Sequence, residues 1–208
     1  MGFKSIRNLG AAVTLWLLAM AGALWVVLPV YVANGTAPFS RGKGPRMDLG
    51  RTWAKDGRPL LGTSKTWLGF LIGGTLGLLV GLFEEYLLLL APPSLQFVPF
   101  FAPDLAAAIL PIAALSYGAM AGDALGSFVK RRKGTQSGGR SPFLDQLPFI
   151  LLPMVLIGLF FPQLVLAAFW PEVATGILLV GWVLILSLFL HASFNILGYF
   201  VGLKKVPW

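Results

Sequence analysis

Apolar residues run along this chain in long blocks, separated by short stretches rich in glycine, proline and cations. Five blocks come near the ~20 residues a helix needs to cross a bilayer. They are Leu9–Ala33, Trp67–Phe83, Leu105–Val129, Leu147–Phe169 and Gly176–Leu203. The first follows Lys4 and Arg7 and carries an Ala-x-Ala at Ala19 and Ala21, as a signal peptide does. Its apolar run continues to Ala33 without a polar cleavage region, which predicts a retained helix. The pattern therefore predicts an all-α integral membrane protein with five transmembrane helices, one membrane domain covering residues 1–208.

Small residues recur within these blocks. Glycines stand at Gly69, Gly73, Gly77 and Gly81 in the second block, and at Gly118, Gly122 and Gly126 in the third. A small residue every fourth position lets helix backbones approach closely where lipid supplies no hydrophobic drive. The two helices are expected to pack against each other or their neighbours, which puts Asp123 against protein instead of lipid. Segment Tyr86–Pro103 is broken by Pro92, Pro93, Pro99 and Pro103 and reads as an outer cap or half-inserted loop. Glu84 and Glu85 are expected at a solvated helix end there.

Charge changes this picture from a set of spans to an oriented one. Only 12% of the 208 residues are charged against 57% hydrophobic, too little polar sequence for a separate soluble domain. Loop 34–66 holds seven Lys or Arg, loop 130–146 holds five, and Lys204 and Lys205 follow the last block. The stretches Glu84–Asp104 and Trp170–Thr175 hold acids and no cations. The positive-inside rule places both basic loops and the C-terminus in the cytoplasm and the N-terminus outside. The net charge of +8 then reflects that bias or an anionic substrate, not nucleic acid. The absence of cysteine excludes disulfides and thiol catalysis, and a single histidine excludes a multi-histidine metal site.

The chemistry concentrates in Gly122–Leu147. An acid inside an apolar segment is costly and by default marks a functional site. If Gly122–Lys130 is helical, Asp123, Ser127 and Lys130 share one face at i, i+4 and i+7. A second acid, Asp145, closes the basic loop. Two acids bracketing cations suit a metal-bound polyphosphate, and Mg²⁺ is the ion such carboxylates favour. The alternatives are a buried ion pair for Asp123 and a helix N-cap for Asp145, near Pro148. The first basic loop ends in Gly62-Thr-Ser-Lys-Thr66, whose hydroxyls, lysine and N–H groups meet a helix N-terminus, a ready anion site. Gly57 and Gly62 have P-loop separation, but the lysine stands at 65 instead of 63 and no strand precedes it, which excludes that fold. Ser187, His191 and Asn195 share a face of the last block. Interhelical hydrogen bonding explains them first, contact with a lipid headgroup second.

Taken in order, these residues resemble the CDP-archaeol synthase family of archaeal integral-membrane cytidylyltransferases. The matching positions are Asn34 after the first span, Gly50-Arg51-Thr52 and Gly62-x-x-Lys65-Thr66-Trp67, then Gly122-Asp-x-x-Gly-Ser-Phe-x-Lys-Arg and Pro142-x-x-Asp145-Gln-Leu. The CDP-diacylglycerol synthase signature is similar at greater distance. The resemblance covers nearly the whole chain, and its second-loop motif is the specific part. Thr63, Ser64 and Leu68 stand where family members often carry charged residues, so no metal ligand is expected in Gly62–Thr66; Asp48 and Asp56 are weaker candidates.

The resemblance implies transfer of CMP from CTP to the phosphate of an unsaturated archaeal ether lipid, 2,3-bis-O-geranylgeranyl-sn-glycerol 1-phosphate, releasing pyrophosphate. It implies Mg²⁺ on Asp123 and Asp145, with Lys130 beside them as the catalytic set. It implies CTP or phosphate contacts from Asn34, Arg51, Lys65, Thr66, Ser127, Lys130, Arg131 and Pro142, at the cytoplasmic face of the cell membrane. A transporter or flippase for an anionic lipid or phosphate is the rival reading; it calls for inverted repeats and polar residues at the bilayer midplane, and the sequence offers neither.

Overall fold

The computed structural model describes residues 3–93, 98–137, 139, 141–170 and 173–203. Lys204 and Lys205, which entered the charge argument, lie outside them, as does Arg140. Seven α-helices follow one another among the described residues: α1 Phe3–Thr36, α2 Trp67–Leu90, α3 Leu105–Arg132, α4 Pro142–Gln146, α5 Pro148–Phe160, α6 Pro162–Phe169 and α7 Val173–Phe200. The only β-pairing there is two isolated bridges in the first loop. α1, α2, α3 and α7 are long and apolar enough to cross a membrane, and α5 with α6 makes a fifth candidate. Leu71, Leu79 and Phe83 of α2 and Ile185 and Phe189 of α7 project outward, as lipid-facing side chains do.

The glycine stripes set the packing. A Cβ on Gly73 would lie 2.6 Å from the Ala33 carbonyl oxygen of α1 and 2.6 Å from Met120 Sδ of α3. At Gly77 it would meet the Pro29 oxygen at 2.6 Å and Ser116 Oγ at 2.9 Å. The α2 stripe thus faces the seam of α1 and α3. The α3 stripe faces elsewhere: Gly118 meets Pro153 and Leu156, Gly122 meets Pro148, and Gly126 meets Leu144 and Pro148. The α2 stripe makes the close approach to α3, and α3's own glycines receive α5.

Two expectations are corrected. The block Leu147–Phe169 is not one straight span, because α5 and α6 meet at 117°. Phe161 between them has φ −135° and ψ 55°; a residue before proline is pushed out of the helical region, and Pro162 has no N–H with which to continue α5. α5 is about 20 Å long, shorter than the ~30 Å hydrocarbon core. The pair takes the chain from one end of α3 to the other: α5 starts beside Gly122 and Gly126 of α3 and ends near Ala107, while α7 starts beside Trp170 and packs along α1.

Glu84 and Glu85 are the second correction. Neither stands at a solvated helix end; α2 continues to Leu90, and they are 3% and 0% exposed. The Glu85 carboxylate accepts the N–H groups of Phe101 at 2.9 Å and Ala102 at 3.4 Å, pinning the returning segment to α2. That segment seats Val98 and Phe101 in the core, and Asp104 then N-caps α3 by accepting the Ala107 N–H at 2.9 Å.

Candidate functional site

The first basic loop owes its shape to an acid. Asp48 is buried, and its carboxylate accepts the N–H groups of Gly50 at 2.9 Å, Leu61 at 3.0 Å and Gly62 at 3.2 Å. Burial pushes its carboxyl up, but those three N–H groups and the charge of Arg46 outweigh it and hold the group below the usual carboxylate range. Asp48 therefore organises the loop. Gly62, at φ +98°, turns the chain there beneath Ser137 and Arg131, a conformation L side chains adopt only under strain.

The same loop is bolted to the end of α3. Arg132 pairs with Asp56 at 2.7 Å and donates to the carbonyls of Arg58 at 3.2 Å and Pro59 at 2.5 Å. Its guanidinium also lies 5.6 Å from the Trp53 ring centroid and 5.2 Å from that of Phe128. Asp56 is thus held in a structural pair, with its Oδ1 also accepting the Arg58 N–H at 3.0 Å. These contacts hold Lys65 against α3.

A cavity of about 320 Å³ opens where α1, α3 and α7 end and α2 begins. Asn34, Lys65, Thr66, Asp123, Ser127, Lys130, Arg131 and Asp145 all line it, so eight of the residues picked from the sequence meet in one place. The i, i+4, i+7 face of α3 holds: Asp123, Ser127 and Lys130 turn to the cavity together. Asp123 lies nine residues from the end of α3, about 14 Å along the axis. Two expected contacts are not brought in. Arg51 and Pro142 are exposed and off the cavity, Arg51 in the arm of the first loop that pairs with Leu60 and Pro142 at the first position of α4.

Both acids are held by lysines from another segment. Lys65, just before α2, pairs with Asp123 of α3, and Lys130 of α3 pairs with Asp145 of α4. Asp145 uses its second oxygen to accept the Ser141 N–H at 2.8 Å. It therefore closes the front of α4, while the N-cap position of α5 falls to Leu147 without a side-chain bond. Thr66 caps α2 by accepting the Gly69 N–H at 3.2 Å. Arg131 is 4% exposed, and its Nε has no hydrogen-bond partner in the folded chain. The cluster Lys130, Arg131, Arg132 also sits in the last turn of α3, where cations complement the helix dipole.

The wall from α7 bears out the hydrogen-bonding reading of its polar face. Tyr31 Oη lies 2.8 Å from Ser187 Oγ, and Asn34 Nδ2 lies 3.1 Å from His191 Nδ1. The His191 ring stacks on Phe149 with centroids 5.5 Å apart. His191 and Asn195 line the cavity as well. Arg41, an exposed residue at the rim, does too, and the sequence did not single it out: it is one of seven cations in its loop, and it follows the 3-10 turn Ala37–Ser40 with a left-handed φ of 51°.

The donor set fits a hard divalent cation. Mg²⁺ takes one or two protein carboxylates and completes its shell with substrate phosphates and water. Asp123 and Asp145, both on the one cavity, are the residues that could hold such an ion.

Residues 15–208 match the family model described as CarS-like: CDP-archaeol synthase. The CDP-archaeol synthase of Methanosarcina mazei is 38% identical over 185 residues, covering 88% of this chain and 100% of that one. That of Thermococcus kodakarensis is 35% identical over 193 residues, covering 93% and 99%. That of Methanopyrus kandleri is 38% identical over 195 residues, covering 92% and 95%. Among solved structures, an intramembrane enzyme for archaeal membrane lipid biosynthesis superposes with a TM-score of 0.61 at 30% identity, covering 84% of this chain and 92% of that one. With relatives matched along essentially their whole length, the chain belongs to the CDP-archaeol synthase family.

Proposed function

We propose that this protein is a membrane-embedded cytidylyltransferase that transfers CMP from CTP to the phosphate of 2,3-bis-O-geranylgeranyl-sn-glycerol 1-phosphate, giving CDP-archaeol and pyrophosphate. The observation that carries this is the cavity itself: two carboxylates and four cationic side chains converge where the apolar helices end, in a chain that spans its synthase relatives from end to end. A transporter is not favoured, because those full-length relatives are synthases.

In the reaction, an oxygen of the lipid phosphate attacks the α-phosphorus of CTP, and the bond to the β-phosphate breaks with pyrophosphate leaving. The nucleophile is already an anion at neutral pH, so no general base is needed. What the protein must supply is alignment and neutralisation of charge. Lys65, Lys130 and Arg131 would grip the polyphosphate, and the buried Ser127 hydroxyl would donate to one of its oxygens. Asp123 and Asp145 would hold Mg²⁺, whose chemistry is to polarise the phosphates and shield the leaving pyrophosphate. The lipid tails would stay among the apolar helices while CTP arrives from the side of the basic loops. Loop charge favours the cytoplasm for that side.

Purified protein in detergent with labelled CTP, Mg²⁺ and the lipid phosphate should release pyrophosphate and form a CDP-lipid. Lys65→Ala and Lys130→Ala should each weaken CTP binding by roughly ten- to a hundred-fold, as charge-assisted contacts worth roughly 1.5–3 kcal/mol require. No pyrophosphate from well-folded protein, or unchanged CTP affinity in both variants, overturns the proposal.

A further inference from the structure

The two ion pairs across the cavity have a consequence for how its ligands enter. Resting on the cytidylyltransferase reading, we propose that Lys65–Asp123 and Lys130–Asp145 are exchangeable clasps that make binding of the divalent cation and of CTP mutually dependent. In the structure each carboxylate a cation needs is already taken by an ammonium, and each ammonium a phosphate needs is already taken by a carboxylate. The pairs are only partly exposed, at 21% and 21% for the first and 12% and 20% for the second, so solvent does not fully screen them.

Charge bookkeeping shows why neither ligand enters well alone. Arg41, Lys65, Lys130 and Arg131 against Asp123 and Asp145 leave the cavity wall with two net positive charges. A divalent cation alone would raise that excess and release two ammonium groups with no anion to receive them. CTP alone, with roughly four negative charges at neutral pH, would overshoot in the other direction and lie against two carboxylates. The cation–CTP complex carries roughly two negative charges and matches the wall. On its arrival the carboxylates pass from lysine to cation and the lysines from carboxylate to phosphate. Lysine suits this exchange because its charge is a point on a flexible four-carbon stem, not a fork locked to one partner. Each clasp also joins two segments, the first loop to α3 and α3 to α4, so exchange frees α2's entry and α4 to settle around the nucleotide.

The test uses Mn²⁺ as a spectroscopic probe, with paramagnetic resonance reporting free ion, in the full-length protein without lipid phosphate. In the unaltered protein, Mn²⁺ alone should bind weakly, and a non-hydrolysable CTP analogue should tighten it within the roughly 5–150-fold range of ordinary site coupling, beyond what the analogue's own Mn²⁺ affinity supplies. Lys65→Gln and Lys130→Gln should each bind Mn²⁺ alone several-fold more tightly than the unaltered protein while binding the analogue more weakly. Adding Asp123→Asn to Lys65→Gln should abolish that gain. A purely structural lysine predicts the opposite, a looser site with weaker Mn²⁺ binding. Equal Mn²⁺ affinity with and without the analogue in the unaltered protein, which requires no variant to fold, overturns the proposal. So does a pair of lysine variants that bind Mn²⁺ no better than the unaltered chain. The outcomes separate from those of the proposed function: coupling without pyrophosphate release removes the reaction and leaves the clasps, and product formation without coupling does the reverse.

Discussion

Gly122→Ala should damage the enzyme out of proportion to one methyl group, because of what that methyl meets. Its Cβ would lie 2.1 Å from the Pro148 carbonyl oxygen, 2.8 Å from the carbonyl carbon and 3.0 Å from Phe149 Cα. All three are backbone atoms of α5, so no rotamer change relieves the clash, and the two helices must part by about 1 Å before the contact is tolerable. Overpacking of this kind costs roughly 1–3 kcal/mol, against at most about 1 kcal/mol returned by replacing glycine in a helix. The larger effect falls on chemistry. Gly122 adjoins Asp123, and Pro148 stands three residues after Asp145, so parting α3 from α5 moves the two carboxylates apart. A displacement of about 1 Å in a reacting constellation costs on the order of a hundred-fold in rate. Gly158→Ala on α5 is the matched control, since a Cβ there has nothing within 4 Å. Initial rates of pyrophosphate release at saturating CTP, with thermal stability in detergent by size-exclusion recovery, compare the two. If Gly122→Ala keeps turnover within about two-fold of Gly158→Ala and melts within about 1 °C of it, close approach of α3 and α5 does not position the site.

Asp48→Asn should loosen the first loop, removing the charge that draws in the Gly50, Leu61 and Gly62 N–H groups, at roughly 1.5–3 kcal/mol for each charge-assisted bond lost. Its folded carboxyl is depressed, so its contribution to stability is full above the ordinary carboxylate range near ~3.9 and is lost as pH falls through the depressed value. Acid melting curves should therefore converge for the unaltered and Asp48→Asn proteins below that range and separate above it. Glu85→Ala should leave the buried Phe101 N–H, and the half-buried Ala102 N–H, without an acceptor, costing roughly 1–3 kcal/mol for the first and less for the second. It should lower the melting temperature yet leave KM for CTP unchanged, because Glu85 lies at the end of α2 remote from the cavity.

What the sequence made legible was whatever follows from period and polarity. Blocks of apolar residues fixed the starts of α2 and α3 to the residue, and the spacing of Asp123, Ser127 and Lys130 fixed the face they share. The break at Phe161 was carried by Pro162, but an apolar run containing proline reads alike for a kinked span and a sharply bent pair, and the neighbours decide. Glu84 and Glu85 were misplaced because adjacent acids at the end of an apolar run normally mark water. For Glu85 the returning chain, with Phe101 and Ala102 offering N–H groups, makes burial tolerable. Arg41 was invisible for a different reason: its place beside the cavity follows from the 3-10 turn Ala37–Ser40 and the left-handed residue that ends it, which no pattern of polarity encodes.

Five of the chain's acids, Asp48, Glu85, Asp104, Asp123 and Asp145, sort by the kind of donor that holds them, and on the proposed reading that sorting follows function. Asp48, Glu85 and Asp104 are held by backbone N–H groups, which cannot leave without unfolding the segment that bears them. They shape the first loop, tie the return to α2 and start α3. Asp123 is held by an ammonium on a flexible stem, and Asp145 by one such ammonium together with a single N–H. An amide donor makes an acid part of the scaffold, whereas a lysine leaves it available to a ligand that can offer the lysine something better. Asp145 stands between the classes, anchored at one oxygen and exchangeable at the other, as a group must be if it is to hold α4 in place and still turn toward a cation. Surface exposure alone would rank Asp48 and Glu85 ahead of Asp123 and Asp145; on the proposed reading the chemistry of the partner reverses that order.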